Sequence, residues 1–525
     1  MRNKVLVTGL LILLSCTALW AQPVVPAKAE PSLWVIFLGG LAAGFAAFIM
    51  PCIYAMVPVT VSFFTKRSAT RKKGLINATV YALSIMLIFT LVGVVIAVTK
   101  QGGWVNEFAS SAVFNIFVFA LFIVFGISFL GAFEITLPAS FANKVDSKSN
   151  ASSFTGIFFM ALTLVIVSFS CTVAFIGGLI PLLIKGSFIK PIIGFFAFGL
   201  AIALPFALLA YFPSLLNKIA KSGGWLNSLK VCFGFLELAL SLKFLSNADL
   251  AYHWRLLDRE IYLSLWIVIF LLMGFYLLGK LKFSHDDELP KNDYGLPYLS
   301  VTRLFFAITV FSFVVYLVPG LWGAPLKGIS AWIPETKTQD FNLYKSSLQN
   351  TAALDTGRIT SAGPVVKPKK YIDFLESEIL GVEAFFDYDE ALAAAKILNK
   401  PVMIDFTGHS CANCRKMESE VLNQDEIRNV LKNDFVVASL YVDDKYELPE
   451  NERYTSTFDG SFIKRMGAKN LDLEAVIANS NAQPLYIFMD KNGKLIKNAD
   501  GYDPSISRFK NILEEVKAEY KKRFP

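Results

Sequence analysis

Eight apolar stretches crowd the first 320 residues, and nothing else constrains the fold of this chain as strongly. They run over 34–64, 74–98, 112–133, 154–184, 191–212, 225–245, 261–279 and 301–321. About 20 apolar residues suffice to cross a hydrocarbon core as a helix. The stretches therefore predict an α-helical polytopic membrane domain. Composition agrees: 54% of residues are hydrophobic and only 18% charged, a balance outside the soluble range. The net charge of +8 is spent largely at span ends and shows no basic stripe with interleaved aromatics. Nucleic acid is therefore excluded as a partner, and membrane lipid is expected.

Orientation follows from the basic loops. The first loop carries Lys66, Arg67, Arg71, Lys72 and Lys73, and the last loop on the same side carries Lys280, Lys282, Lys291 and Arg303. Both belong in the cytoplasm. An even number of spans then leaves the C-terminal third outside. The N-terminus reads as an export signal over 1–22: Arg2 and Lys4, an apolar run at 5–14, and small residues at 18–21. Leu13-Leu14-Ser15-Cys16 also fits a lipoprotein box, so Cys16 is either lipidated or removed.

Past the spans the composition changes. Residues 323–380 are polar and, at 351–368, rich in small residues and proline, which predicts a linker of low order. Residues 381–525 alternate between helical and strand patterns. A helix is expected over 382–399, strands over 401–406, 435–442 and 484–490, and a short strand at 494–497 after the turn Lys491-Asn492-Gly493. A last helix covers 505–522.

Of six cysteines, Cys411 and Cys414 form a C-x-x-C between a strand and a helix. There the positive end of the helix favours the thiolate, which is the reactive form. Cys411, the outer cysteine, is the expected nucleophile, and Cys414 the resolving thiol. A structural zinc half-site is the bland alternative, but a closed site needs four ligands and the tail offers these two cysteines and His409. Cys52 and Cys171 lie in spans one and four, each in a C-x-x-A pattern with Pro58 or Gly177 six residues on. Spans three apart run in opposite directions, so the pair has the look of an inverted repeat of broken helices meeting near the midplane. Cys232, in span six, reads as a small apolar side chain. Glu237 in the same span is a polar group in lipid, with Lys230 or Lys243 as its possible partners.

Two resemblances follow from these residues. The segment from 381 onward resembles the thioredoxin superfamily, with Asp405 six residues before Cys411 and Pro484 opening a strand. The resemblance implies a buried carboxylate that assists the resolving thiol and a cis-proline beside the dithiol. The tryptophan usual before the first cysteine is replaced by Ser410, preceded by His409. The whole arrangement resembles the DsbD family of thiol:disulfide interchange proteins, with a CcdA-like transmembrane domain at 33–322. In that family proline often precedes the second membrane cysteine, where this chain has Ser170. The N-terminal immunoglobulin-like domain of DsbD is expected to be absent.

The resemblance implies a protein-disulfide reductase of the bacterial inner membrane, with its thioredoxin-like domain in the periplasm. Cytoplasmic thioredoxin would reduce a Cys52–Cys171 disulfide, which would reduce Cys411–Cys414, which would reduce periplasmic disulfide proteins or cytochrome c maturation factors. No cofactor and no metal are implied, since the thiols carry the electrons. The rival reading is a transporter or metal-handling protein with a redox-sensing C-x-x-C tail.

Overall fold

The computed structural model describes residues 32–48, 71–99, 107–133, 157–158, 161–162, 164–165, 189–211, 224–283, 294, 298–343, 366–498 and 501–525. The export signal, Cys16, Cys52, Ser170 and Cys171 lie outside the described residues.

Seven helices make up the membrane part among the described residues. They are α1 (Leu33–Phe48), α2 (Arg71–Thr99), α3 (Ala112–Phe129), α4 (Ile189–Tyr211), α5 (Gly224–Tyr252), α6 (Arg259–Leu277) and α7 (Val301–Leu317). Five apolar segments are long enough to cross a membrane by length and composition: Ile76–Val95, Ala112–Phe129, Ile189–Leu208, Arg259–Leu277 and Val301–Trp322. Ser111 and Ser300 start α3 and α7 by accepting hydrogen bonds from the N–H groups of Phe114 (3.3 Å) and Arg303 (3.4 Å). Large apolar side chains such as Phe305 (66% exposed) point away from the bundle, as lipid-facing residues do.

Helix contacts fall into groups. α4 packs on α1 and α2, α5 on α3, and α6 on α7 and α5. With lipid as solvent, such contacts rest on close backbone approach rather than on the hydrophobic effect. Gly40 and Gly44 of α1 illustrate this. A Cβ on Gly40 would lie 2.6 Å from the carbonyl oxygen of Gly194, and one on Gly44 would lie 2.6 Å from both the Phe198 carbonyl and the Ala201 Cβ. The indole N–H of Trp266 donates to the Ala239 carbonyl at 2.9 Å and ties α6 to α5. Glu237 of α5 is buried, and its Oε2 makes no hydrogen bond among the described residues.

α5 ends at His253, whose φ of +57° is left-handed. The Trp254 N–H closes the helix end on the Asp249 carbonyl at 3.1 Å. After α7, residues 318–343 fold back as a strap of 3-10 turns over the N-terminal end of α6. The buried Arg259 donates to the carbonyls of Pro334 (2.7 Å) and Ala324 (3.1 Å). Tyr262 donates to that of Trp332 (2.9 Å).

The C-terminal part is built on a five-stranded sheet in the order β1-β3-β2-β6-β7. Its strands are β1 (Ala384–Phe385), β2 (Val402–Thr407), β3 (Val436–Tyr441), β6 (Leu485–Met489) and β7 (Leu495–Asn498). β1, β3 and β2 are parallel, and β6 and β7 run antiparallel to their neighbours. The helices are α8 (Tyr388–Leu398), α9 (Ala412–Met417), α10 (Asp425–Asp434), α11 (Met466–Ala478) and α12 (Ile506–Arg523). A two-stranded ribbon pairs β4 (Tyr454–Thr455) with β5 (Phe462–Ile463). Alternate residues feed two cores. Met403, Val437 and Phe488 face one side, and Ile404, Ala438 and Ile487 the other.

The expected strands at 401–406, 435–442, 484–490 and 494–497 correspond to β2, β3, β6 and β7 within one or two residues. The expected helix at 382–399 is shorter and is preceded by β1. The sequence reading assigned nothing between 443 and 483, where β4, β5 and α11 lie. α11 buries Asn470 and Glu474 alongside Met466 and Ala475, so its inner face carries no clean apolar stripe. Residues 366–380, inside the stretch expected to be a linker, carry Leu375 and Ile379 into the thioredoxin-like core.

Candidate active site

β2 delivers the dithiol. Its last residue is Thr407, and the turn Gly408-His409-Ser410 leads into α9. Asp443, just past β3, holds that turn by accepting the N–H groups of His409 (2.8 Å) and Ser410 (2.9 Å) and the Ser410 hydroxyl (2.7 Å). Cys411 occupies the N-cap of α9, and its Sγ accepts the Cys414 N–H at 3.2 Å. Cys411 and Cys414 are joined in a disulfide with a Cα–Cα separation of 5.3 Å. Cys411 is partly exposed, whereas Cys414 is buried. The outer sulfur is open to a partner and the inner one is shielded, as attack and resolution require.

Asp405 sits in the middle of β2, buried at 3% exposure, and its Oδ1 has no hydrogen-bond partner among the described residues. Burial pushes its carboxyl up to about 7, against the opposing pull of Arg415. Such a carboxyl can exchange a proton near neutral pH. Register places β6 antiparallel to β2 with Leu485 opposite Phe406. Pro484 therefore lies at the end of β2 that leads to the dithiol, and the Gln483–Pro484 peptide is cis. Glu474 of α11 supports this loop by accepting from the Ala482 N–H (2.9 Å) and the Gln483 amide (2.6 Å).

Sequence reasoning missed a buried charge cluster behind the motif. Arg415 spans two carboxylates, Glu335 of the strap at 2.6 Å and Glu418 at 2.8 Å. Lys337 is also on Glu335, at 2.6 Å, and its ammonium lies 4.4 Å from the centre of the Tyr441 ring. Burial alone would raise the Glu335 carboxyl, but Arg415, Lys337 and His409 outweigh it and hold it well below the usual carboxylate range. Glu418 goes the other way. Burial, with Glu378, Asp405 and Glu335 nearby, pushes it well above that range despite Arg415. The His409 ring stacks on Tyr441, its Nδ1 3.2 Å from Glu335 and its Nε2 3.0 Å from Asp444. A cavity lined by Arg259, Glu335, Glu378, Arg415 and Glu418 lies beside this cluster.

The same end of the domain meets the membrane part. The Lys445 N–H donates to the Ala251 carbonyl at 3.0 Å, and its ammonium donates to the Glu107 carbonyl at 3.3 Å. Arg465 pairs with Glu107 at 3.0 Å, Ser419 Oγ donates to Ser330 Oγ at 3.0 Å, and His253 Nε2 lies 3.0 Å from Asp444. The dithiol end therefore packs against the chain just before α3 and at the end of α5. Of the residues expected from sequence, Cys411, Cys414, Asp405 and Pro484 converge here.

Fold and site define a multi-pass helical membrane protein carrying a thioredoxin-like domain with a C-x-x-C disulfide. The family model described as cytochrome C biogenesis protein transmembrane domain matches residues 33–248, and the one described as thioredoxin-like domain matches 388–517. Both parts are similar to thiol:disulfide interchange proteins. It is 24% identical over 412 residues to the thiol:disulfide interchange protein DsbD of Pseudoalteromonas atlantica, covering 76% of this chain and 58% of that one. It is 27% identical over 411 residues to DsbD 2 of Pseudomonas aeruginosa, covering 76% and 60%. The chain thus spans about three-fifths of the length of these relatives. A solved structure titled DsbH oxidoreductase is 20% identical, with 27% of this chain and 92% of that one covered at a TM-score of 0.20.

Proposed function

We propose that this protein is a protein-disulfide reductase that relays electron pairs across a bacterial inner membrane. Cytoplasmic thioredoxin donates, Cys52 and Cys171 carry the pair through the membrane, and Cys411–Cys414 receives it on the periplasmic face. Periplasmic disulfide proteins or cytochrome c maturation factors are the acceptors. The division into a membrane domain at 33–322, a connecting segment at 323–380 and a thioredoxin-like domain at 381–525 belongs to the same reading.

One observation carries it: the disulfide at the start of α9 sits at the end of the domain that packs against the chain just before α3 and at the end of α5. A dithiol used only for soluble partners has no physical reason to be held there. In the exchange, a membrane thiolate attacks one sulfur of the disulfide, forming a mixed disulfide and releasing the other sulfur as a thiolate. A second membrane thiol then closes the membrane disulfide and frees the remaining sulfur. Asp405 supplies or accepts the proton on Cys414. The reduced Cys411 repeats the attack on the acceptor, and Cys414 resolves it. Two electrons move at each step, and the thiols alone carry them.

The test is trapping. Cys414→Ala in the full chain leaves Cys411 without its resolving partner, so mixed disulfides accumulate. Periplasmic proteins attached to Cys411, together with loss of C-x-x-C reduction in a Cys52→Ala variant, support the relay. Intact reduction of Cys411–Cys414 after Cys52→Ala would sink it.

A further inference from the structure

The structure assigns a second site, distinct from the dithiol: a divalent transition-ion site of the zinc type formed by His253, His409 and Asp444. The metal-ligating atoms of these three side chains all lie within 4.8 Å of one another. His253 Nε2 and His409 Nε2 each stand 3.0 Å from the same oxygen, Asp444 Oδ2. An ion bonded at about 2.0–2.1 Å in tetrahedral geometry holds its ligand atoms roughly 3.3 Å apart. The two nitrogen–oxygen distances are within about 0.3 Å of that spacing. Two imidazoles and a carboxylate are the donor set that favours zinc-like ions over calcium or magnesium.

Three further observations point the same way. Asp444 Oδ1 accepts the Tyr446 N–H at 2.8 Å, which turns Oδ2 toward the two imidazoles. His409 presents its other nitrogen, Nδ1, to Glu335 at 3.2 Å. With Glu335 holding Nδ1–H, Nε2 can give up its hydrogen to an incoming ion, the arrangement a metal-bound histidine shows when a carboxylate supports it. His253 Nε2 is buried yet makes no hydrogen bond of acceptable geometry, although Asp444 is near. A ring nitrogen aimed beside an oxygen rather than at it is what two ligands of one ion look like.

Access is available as well. The side chains of His409 and Asp444 are 0% exposed, while that of His253 is 21% exposed. The ion and a water in the fourth position would reach the site from the His253 side. His253 sits in the left-handed region that glycine or asparagine fills more easily.

The ligands come from two parts of the chain. His253 ends α5 of the membrane part, whereas His409 and Asp444 belong to the thioredoxin-like part. An ion there pins the two together two residues from Cys411. It is a clamp on the docked arrangement, independent of whether electrons flow through it. Binding replaces any hydrogen on the two Nε2 atoms, which leaves as a proton to solvent, and no electron changes hands.

The test uses the full chain in detergent, with Cys411–Cys414 kept oxidised and other thiols alkylated so that sulfur cannot bind the metal. Cobalt(II) is the probe, with zinc as competitor. One equivalent of cobalt should bind, with visible d–d bands, no thiolate charge-transfer band, and displacement by zinc. His253→Ala should weaken binding by more than the ~10–100-fold typical of losing a supporting group. His253→Cys, made in a background with Cys16, Cys52, Cys171 and Cys232 changed to serine so that no alkylation is needed, should restore binding and bring in the thiolate band. That band can appear only if position 253 touches the ion. Failure to bind one equivalent, or a spectrum and affinity unchanged in both His253 variants, overturns the site.

Discussion

A single buried carboxyl sets much of the chemistry at residue scale. Asp405 titrates near 7 instead of its ordinary value near 3.8, because burial disfavours its charge. The folded state therefore keeps a proton that the unfolded chain has lost. The stability this residue supports is complete below about pH 4 and is lost as pH rises through 7. Asp405→Asn removes that dependence. It should raise the melting temperature of the oxidised protein more at pH 8 than at pH 4, by calorimetry in detergent. The same variant should slow reduction of Cys411–Cys414 by a soluble dithiol roughly 100-fold, the usual contribution of a positioned proton-transfer group. An unchanged rate would remove Asp405 from the exchange step. This part of the site was legible in the sequence. A strand, a turn and a helix start are local patterns, and the six-residue step back to Asp405 stays within β2 and its turn. Glu335 was not legible: it meets His409 across 74 residues of sequence, in a contact created by docking rather than by local pattern.

Elements were legible where burial follows a simple period, and hidden where it does not. The apolar runs read as spans because lipid demands apolar side chains, and the described helices fall on seven of those eight runs. The partner of each helix was not readable, because in lipid the contact face is marked by small residues rather than by hydrophobic contrast. α1 shows the consequence. Gly44→Ala would place a methyl 2.6 Å from the Phe198 carbonyl and the Ala201 Cβ of α4, so the helices must separate. The expected loss is about 1–3 kcal/mol, typical of overpacking, and thermal unfolding in detergent should show it. Gly39→Ala on the same helix meets nothing within 4 Å among the described residues and should cost much less than Gly44→Ala. α11 was missed for the opposite reason, since its inner face buries polar groups. Glu474 is raised to about 8 by burial. It nevertheless holds the loop before Pro484 through two hydrogen bonds. Glu474→Ala leaves those donors without their acceptor and should cost about 2–4 kcal/mol, read as a lower denaturant midpoint.

For the whole molecule, the question is whether the thioredoxin-like part must leave its dock to serve soluble acceptors. Most docking contacts among the described residues are polar: a backbone bond to Ala251, two contacts on Glu107, the Ser330–Ser419 hydroxyl pair, Thr336 and Lys337 on Glu378, Glu335 with His409 and Arg415, and His253 on Asp444, with the His253 ring also against Phe374. Polar contacts of this kind resemble those of interfaces that open and close, rather than a fused core. A relay also needs movement. In the proposed relay Cys411 serves the membrane sulfurs and an acceptor in turn, and undocking is the step that separates the two. Ser330 and Ser419 offer a lock, because their hydroxyls stand 3.0 Å apart across the contact. In a Ser330→Cys, Ser419→Cys double variant, mild oxidation should form a new intramolecular disulfide, visible as a mobility shift that neither single variant shows. With the lock closed, reduction of a soluble disulfide substrate should fall at least ~10-fold and return when the lock is reduced. Electron arrival at Cys411–Cys414 from the membrane side should persist in the locked form, since the docked geometry is the receiving one. A locked protein that still turns over soluble substrate at full rate would mean that the dock is no barrier to delivery and that the acceptor reaches Cys411 in place.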